Sequence, residues 1–475
     1  MDKFYLTTPI YYVNDVPHIG SAYTTIAADV LARFYRFAGS EVFFLTGTAE
    51  HGDKIARSAE KAGLPPQKFV DEMSTKFSTT WEKLAIVPDD FIRTTEPRHV
   101  AAVNQFFQKL KDSGKIYEGE YEGLYCVGCE SFKKEADLVK GLCPLHGTKP
   151  ELLKEKNWFF KLSEYGKILE SRITNLEFRI EPEERKNEIL SFIRQGLEDI
   201  AISRQNVKFA IPLPWDAGQT IYVWLDELFN YCSAVGYGSD EERFAKFWPA
   251  DLHLMGKDII KFHCIIWPAL LLAIGVPPPK KVFAHGFFTV NGQKMSKTLG
   301  NVIDPVAMAA KYTPDALRYF LLREVPFGQD GDVSEEKLRA RYESDLANGL
   351  GNLFSRLTTL VAQKLGGDLP EIVGSPREFT AAVEEAVTDL RFHDALTRIW
   401  TEVAWANKYI DETKLWEQHE KNPKLFGEVI SNLVALLLEI AKNLAPFMPD
   451  AAEKIRVGLS AEKIVKAEPL FPRIV

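Results

Sequence analysis

Two short turns in this chain carry residues with the spacing of a metal site: Cys126 and Cys129 in the first, Cys143 and His146 in the second. Two residues separate the members of each pair, so both can reach a single ion. Three thiolates and one imidazole form the closed tetrahedral set of structural zinc, which leaves no position for a substrate. The pattern predicts one zinc ion that stabilises its domain and does no chemistry. The alternative is a group of unrelated reduced thiols.

A second candidate is His18-Ile-Gly20-Ser21, which follows a strand-like run, Phe4 to Thr8, and opens a helical pattern that ends before Gly39. Amides at a helix N-terminus, with an imidazole donor, stabilise phosphate oxygens, and glycine allows a nucleotide to approach the backbone. In a doubly wound sheet, ligands bind where strands hand over to helices. The other interpretation is a simple helix cap.

A third candidate is the polar loop from Gly292 to Asn301, with Lys294 and Lys297 on either side of Met295 and Ser296. Two lysines in such a loop suit the charge that develops on a transferring phosphate. The other interpretation is plain solvent exposure of both lysines.

The elements that would position these residues predict an α/β fold. Short buried strands are expected at Phe4 to Thr8, Val42 to Leu45, Ile221 to Leu225, Leu252 to Met255 and Val282 to His285, as in a parallel sheet split by an insertion. Beyond Asp345 the periodic segments are helical. They are Asn348 to Leu365, Thr380 to Leu390, His393 to Glu412 and Gly427 to Leu444. We therefore expect a Rossmann-like parallel-sheet domain, an inserted zinc-knuckle domain and a C-terminal all-α bundle.

Length and composition agree with that organisation. A chain of 475 residues exceeds what one core usually holds. The net charge is −8, so any contact with nucleic acid must be a local patch. The sequence has no run of about 20 apolar residues for a membrane span and no export signal after Met1, so we expect a cytoplasmic protein without a membrane partner.

The motifs in combination resemble the methionyl-tRNA synthetase family of class I aminoacyl-tRNA synthetases. The resemblance runs from Phe4 to Arg473 and rests on both signature motifs and the zinc knuckle. It also includes Pro9 to Asn14, Thr46 to His51, Gly256 to His263 and Asp345 to Asn348. It implies that methionine and ATP form methionyl-adenylate and pyrophosphate, and that methionine then passes to the terminal adenosine of tRNA(Met), without a covalent enzyme intermediate.

The resemblance also implies roles for individual residues, with magnesium accompanying ATP. The catalytic residues would be His18, Lys294 and Lys297. The ATP-binding residues would be these three with Gly20, Ser21, Asp258 and Ser296. Methionine would be held by Ile10, Tyr12, Trp224, Leu228, Tyr231, Ile259 and His263, a set that suits a polarisable thioether. Asn352, Arg356 and Trp416 would read the anticodon by hydrogen bonds and stacking.

The character of the successive segments and the family resemblance together predict five segments. They are 1–113 and 214–285 for the two halves of the catalytic domain, 114–213 for the inserted connective domain, 286–345 for the lysine loop and stem-contact region, and 346–475 for the anticodon-binding bundle. The C-terminal dimerising module of some relatives does not follow the bundle, so we expect a monomer.

Four positions depart from the family pattern. Ser21 replaces the second histidine of the first motif, and Thr298 replaces a serine in the lysine loop. Ala49 stands where the family has an aspartate associated with the methionine ammonium, and Glu227 stands where alanine is usual. Glu227 follows Trp224 by three residues, so on a helical turn it would face the same cavity. We therefore hypothesise that Glu227 replaces the missing aspartate; the alternative is that it points to solvent.

Two other functions compete with the ligase. A zinc-containing tRNA-binding paralogue with weak or lost adenylation would explain Ser21 and Ala49. A small nucleotidyltransferase sharing only the His18–Gly20 motif is disfavoured by the bundle and the knuckle.

Overall fold

The computed structural model describes residues 3–128, 131–144, 147–205, 207–295, 301–371 and 379–474, without the side chains of Tyr121, Ser131, Phe132 and Lys294. Its strands are β1 (Lys3–Thr7), β2 (Tyr11–Tyr12), β3 (Glu41–Ala49), β4 (Asp90–Arg93), β5 (Ile116–Cys126), β6 (Ser131–Lys133), β7 (Glu151–Phe160), β8 (Arg179–Glu181), β9 (Ile200–Ala201), β10 (Ser203–Gln205), β11 (Pro212–Leu213), β12 (Asp216–Ile221), β13 (Leu252–Gly256), β14 (Lys281–His285), β15 (Phe288–Val290), β16 (Gln293–Lys294) and β17 (Gly331–Val333).

The helices are α1 (Ile19–Phe37), α2 (Asp53–Lys61), α3 (Pro66–Lys83), α4 (Pro97–Asp112), α5 (Gly166–Thr174), α6 (Glu183–Arg194), α7 (Val223–Leu228), α8 (Asn230–Ser233), α9 (Glu241–Phe247), α10 (Trp267–Ala273), α11 (Pro305–Tyr312), α12 (Pro314–Glu324), α13 (Glu335–Arg341), α14 (Asn352–Lys364), α15 (Thr380–Thr388), α16 (Phe392–Glu412), α17 (Leu415–Lys421), α18 (Pro423–Leu444) and α19 (Pro449–Leu459). Two segments are π-helical, Phe262–Ile266 and Tyr342–Gly351. Short 3₁₀ turns occur at Glu135–Asp137, Leu162–Tyr165 and Lys257–Ile259. Among the described residues, no helix is long and apolar enough to cross a membrane.

The chain divides into two compact units, each discontinuous in sequence. The first comprises residues 1–17, 39–79 and 88–285, and the second comprises 18–38, 80–87 and 286–475. The five segments expected from the sequence are finer than this division and stay a prediction.

The first unit contains a parallel sheet with the strand order β2-β3-β1-β13-β14-β8, and β4 pairs with β3. The chain passes from β1 to one side of the sheet and from β13 to the other, so the strand order reverses between these two neighbours. In such sheets, ligands bind beyond the carboxyl ends of the strands at the reversal. Ile10 and Tyr12 follow β1, and Asp258, Ile259 and His263 follow β13. The topology therefore places these residues at the expected edge.

Smaller sheets accompany this core. Strands β6-β5-β7-β9 form an antiparallel sheet in the predicted insertion, and β10-β12-β11 form another. The expected parallel strand from Ile221 to Leu225 was wrong: β12 ends at Ile221 and belongs to the antiparallel sheet, and residues from Val223 form helix α7. Val223, Leu225 and Leu228 are buried. An apolar run this short fits a buried helix turn as well as a strand.

The second unit contains α1, the sheet β16-β15-β17 and the helices from α11 onward. A buried guanidinium joins its distant segments. Arg318 on α12 donates to the Asp29 carboxylate of α1 at 2.7 Å, and to the carbonyls of Phe447 at 2.8 Å and Pro446 at 2.9 Å. It also donates to the carbonyl of Leu84 at 3.3 Å. A buried charge with this many partners holds α1 to the bundle.

Candidate active site

His18 is the residue that begins α1, and its imidazole forms part of the helix cap. Nδ1 accepts the Gly20 amide at 3.1 Å, and the Ser21 hydroxyl accepts the His18 amide at 3.1 Å, completing a reciprocal capping box. Because Nδ1 accepts, the neutral ring carries its proton on Nε2. A Cβ on Gly20 would lie 2.9 Å from His18 Cε1, so a side chain at Gly20 would displace the imidazole. Ser21 thus has a structural role in the cap of α1.

Met295 of the lysine loop and Ile303, which follows the loop, both lie beside this turn. The Ile19 amide donates to the carbonyl of Ile303 at 3.3 Å, and a Cβ on Gly20 would lie 3.9 Å from Met295 Cε. Among the described residues of the second unit, the structure therefore places Met295 of the second motif next to Gly20 of the first. The Lys294 side chain and residues 296–300, with Ser296, Lys297 and Thr298, lie outside the described residues.

The expected methionine residues lie in the first unit, where Tyr231 and His263 form a buried pair. Tyr231 Oη is 2.8 Å from His263 Nε2, and His263 Nδ1 is 3.0 Å from the Ile259 carbonyl. A carbonyl only accepts, so Nδ1 carries the proton and Nε2 accepts from the phenol. Burial lowers the pKa of His263 to about 4, consistent with a neutral ring. The hydrogen bonds fix the ring orientation without placing a charge there.

The other expected methionine residues belong to, or pack against, the hydrophobic cluster that contains Tyr231. Trp224 stacks on Phe262 with ring centroids 4.3 Å apart and 14° between the planes. Ile10 and Leu228 belong to the buried core cluster of the unit, against which Tyr12, Trp224 and Ile259 also pack. The Tyr12 hydroxyl donates to the His51 carbonyl at 2.9 Å.

A buried carboxylate behind these residues was missed by the sequence reasoning. Asp226 accepts from His51 Nδ1 and from His99 Nε2, each at 2.7 Å, and His99 Nδ1 lies 2.8 Å from Ser233 Oγ. Burial alone would raise the pKa of Asp226, but the two imidazoles outweigh it and lower the pKa to about 2. Asp226 therefore joins α7, the helix of Trp224, to the residue whose carbonyl holds Tyr12. Its position between Trp224 and Glu227 was the available signal.

Two of the departures from the family pattern, Ala49 and Glu227, lie in the first unit. Ala49 is fully buried and is the register partner of Tyr12 in the β2–β3 pair. Glu227 is half-buried on α7. Burial is the main cause that raises the pKa of Tyr231, and the Glu227 carboxylate raises it further. The hypothesis that Glu227 replaces the missing aspartate stays a prediction.

Asp258 lies directly after β13, in the 3₁₀ turn Lys257–Ile259. Its side chain reaches solvent, yet surrounding protein atoms desolvate the carboxylate and raise the pKa of Asp258. This location beyond the strand end suits a residue that meets a ligand.

The predicted anticodon residues lie on the helices of the second unit. On α14, Asn352 donates to Asn407 Oδ1 at 3.2 Å and Arg356 donates to Asp411 Oδ1 at 2.5 Å, so both contact α16. Trp416, at the start of α17, is 46% exposed, which is high for an indole side chain. The helix that follows α16 therefore presents an aromatic surface to solvent.

Half of the predicted zinc ligands can be located. Cys126 is the last residue of β5, and Cys143 directly follows the bridge between Val139 and Leu142. Both cysteine side chains are buried. Cys129 and His146 lie outside the described residues. Within the part of the chain that is described, no group of three or more His, Cys, Asp and Glu residues has an arrangement that could hold a metal ion.

The similarity of this chain to known proteins identifies its family. The model of class I tRNA synthetases (M) matches residues 4–149 and 134–358, and an anticodon-binding domain of tRNA ligase matches 371–473. A methionine–tRNA ligase of Thermotoga maritima is 44% identical over 505 residues, covering 99% of this chain and 80% of the relative. One from Streptomyces coelicolor is 44% identical over 484 residues, covering 97% and 90%.

The chain belongs to the methionine–tRNA ligase family.

A solved member of that family has nearly the same fold. The Mycobacterium tuberculosis methionyl-tRNA synthetase in complex with methionyl-adenylate superposes with a TM-score of 0.93 at 37% identity, covering 100% of both chains. The parallel-sheet α/β domain and the helical C-terminal region expected for a methionine–tRNA ligase are confirmed.

Proposed function

We propose that this chain is a methionine–tRNA ligase that retains adenylation activity. The methionine carboxylate attacks the α-phosphate of ATP and releases pyrophosphate, and a hydroxyl of the terminal adenosine of tRNA(Met) then attacks the acyl carbonyl and releases AMP. The observation that carries the proposal is the position of Met295 and Ile303 beside the turn that begins α1 at His18 and Gly20. Together with the family membership, it supports an assembled ATP site.

We assign ATP binding to His18, Gly20, Ser21, Asp258, Lys294, Ser296 and Lys297. His18 offers an Nε2 donor at a helix N-terminus, where backbone amides and the helix dipole favour phosphate oxygens. Ser21 acts by accepting the His18 backbone amide, which fixes the turn that carries the imidazole. Lys294 and Lys297 stabilise charge on the departing pyrophosphate, which makes them, with His18, the catalytic residues.

Methionine binds, in this proposal, against the surface formed by Ile10, Tyr12, Trp224, Leu228, Tyr231, Ile259 and His263. A thioether needs polarisable packing and few directional contacts, which the stacked Trp224 and the neutral His263 provide. The ammonium group needs an acceptor once water is excluded. Glu227 supplies that carboxylate because Ala49 has none, and its half-buried position on α7, three residues after Trp224, supports this assignment.

Transfer to tRNA requires recognition of its anticodon loop. Asn352 and Arg356 offer donors to base edges, and Trp416 offers a face on which an unpaired base stacks. A monomer in the cytoplasm remains a prediction from the sequence.

Zinc and magnesium complete the proposal. The donor set of Cys126, Cys129, Cys143 and His146 fits one structural zinc ion, and the burial of Cys126 and Cys143 agrees with thiolates shielded from solvent. Such an ion stabilises the knuckle. Magnesium, bound with ATP, neutralises phosphate charge.

The test is methionine-dependent exchange of labelled pyrophosphate into ATP, followed by charging of tRNA(Met). We expect both activities. Binding of tRNA without any exchange would instead support the paralogue that has lost adenylation.

A further inference from the structure

The lysine loop begins in the β15–β16 hairpin, whose two strands are joined by a tight turn. Thr289 pairs with Lys294 and Val290 with Gln293, so only Asn291 and Gly292 connect the strands. Both have positive φ, 53° and 73°, which is the conformation of a type I′ turn. The direction in which Lys294 leaves the hairpin therefore depends on this turn.

Asp332 on β17 holds the turn from the neighbouring strand. Its register partner is Thr289. Asp332 Oδ1 accepts the Gly292 amide at 2.6 Å and the Thr289 hydroxyl at 2.8 Å. The Gly292 amide is the main cause that lowers the pKa of Asp332, so the carboxylate is charged at neutral pH. A charged acceptor makes a stronger hydrogen bond to an amide than a neutral one.

The other side of the same carboxylate faces helix α13. Lys337 Nζ lies 3.1 Å from Asp332 Oδ2 and donates to the Asp332 carbonyl at 2.8 Å. Lys337 contacts Oδ2 and not the Oδ1 atom that accepts from the hairpin, and among the described residues its side chain makes no contact with the hairpin. Removing Lys337 and removing Asp332 therefore have different consequences for the turn.

We propose that Asp332 is a positioning residue for adenylation, which fixes the Asn291–Gly292 turn so that Lys294 and Lys297 are directed to the ATP phosphates. This rests on the proposed role of those lysines. In this proposal Asp332 acts through the Gly292 amide and not on a substrate.

The test compares Asp332→Ala, Asp332→Asn and Lys337→Ala in the full chain. Asp332→Ala leaves the Gly292 amide without its acceptor, and we expect the kcat of pyrophosphate exchange to fall about ten- to a hundredfold. The KM for methionine should stay within about twofold, since the first unit is unchanged. Asp332→Asn keeps an acceptor oxygen and should recover much of the loss. Lys337→Ala, the matched control, should remain near wild type.

Limited trypsin cleavage after Lys294 gives a readout independent of activity. We expect faster cleavage in Asp332→Ala than in wild type and in Lys337→Ala, at equal thermal midpoints. Equal cleavage and equal kcat in Asp332→Ala and wild type would overturn the proposal, as would a Lys337→Ala enzyme as impaired as Asp332→Ala. If the wild type shows no exchange, the proposed function fails, and the cleavage comparison alone decides whether Asp332 fixes the turn.

Discussion

Tyr231 donates to His263 across 2.8 Å, and the acceptor is an imidazole that burial keeps neutral. The pKa of His263 is lowered to about 4, against about 6.5 in an unfolded chain. Between these values the unfolded chain binds the proton and the folded one does not. The free energy of unfolding therefore falls as the pH falls from about 6.5 towards 4. His253, whose pKa burial also lowers, contributes in the same direction.

The first prediction is that His263→Gln weakens this pH dependence, by up to roughly 3 kcal/mol between neutral pH and pH 4. Urea unfolding at several pH values measures it. His419→Gln, on α17, is the control and should keep the wild-type slope. Parallel curves for wild type and His263→Gln would contradict the prediction.

The second prediction is that Glu227→Gln raises the KM for methionine by about tenfold or more, because the ammonium loses its charged partner. Adding Ala49→Asp should recover much of the loss, which a double-mutant cycle on methionine affinity measures. Glu242→Gln, an exposed carboxylate on α9, serves as the control. An unchanged KM in Glu227→Gln would end the hypothesis.

The third prediction is that alanine at Lys294 or Lys297 lowers the kcat of pyrophosphate exchange more than it weakens ATP binding, since charge on pyrophosphate develops in the transition state. Steady-state kinetics at varied ATP separate the two parameters. Lys311→Ala, on α11, is the matched control. A higher KM for ATP with unchanged kcat would indicate ground-state binding only.

The fourth prediction is that Trp416→Ala weakens tRNA use about ten- to a hundredfold, which corresponds to the loss of stacking on one base. Charging of tRNA measures this effect, and pyrophosphate exchange should remain near normal. Val457→Ala, another exposed apolar residue of the same unit, should change neither assay. Equal losses in both assays would assign Trp416 to packing.

The fifth prediction is that Cys126→Ser releases zinc and unfolds the knuckle, which lowers activity through lost folding. Metal analysis of the purified variant measures it. Cys264→Ser removes a buried thiol outside the predicted ligand set and should retain the metal. Wild-type protein without zinc would refute the site.

Much of the fold could be predicted because local patterns determine it. The predicted helix from Gly427 to Leu444 lies within α18, whose buried residues recur at helical spacing. The strands Leu252 to Met255 and Val282 to His285 correspond to β13 and β14. The strand predicted from Ile221 to Leu225 was wrong because this segment has too few apolar residues to distinguish the helical period from the strand period.

The hydrogen bonds of Asp226 to His51 and His99 could not be predicted, since these histidines lie 175 and 127 residues away in the sequence. Pairing over such distances is fixed by tertiary packing. Ser21 is different: a hydroxyl three residues after a helix-starting residue is a capping signal that can be read locally.

The guanidinium of Arg318 has a consequence for how the chain is made. Synthesis proceeds from the N-terminus, and domains generally fold as units when their residues are complete. Helix α1, which carries Asp29, is among the first segments synthesised. The carbonyls of Pro446 and Phe447, which bind the same Arg318 guanidinium as Asp29, are synthesised near the end. The second unit, which contains the helix that begins at His18, can therefore complete its packing only after almost the entire chain has been synthesised. Newly made enzyme should acquire its ATP site late, and chains stalled before residue 446 should lack it.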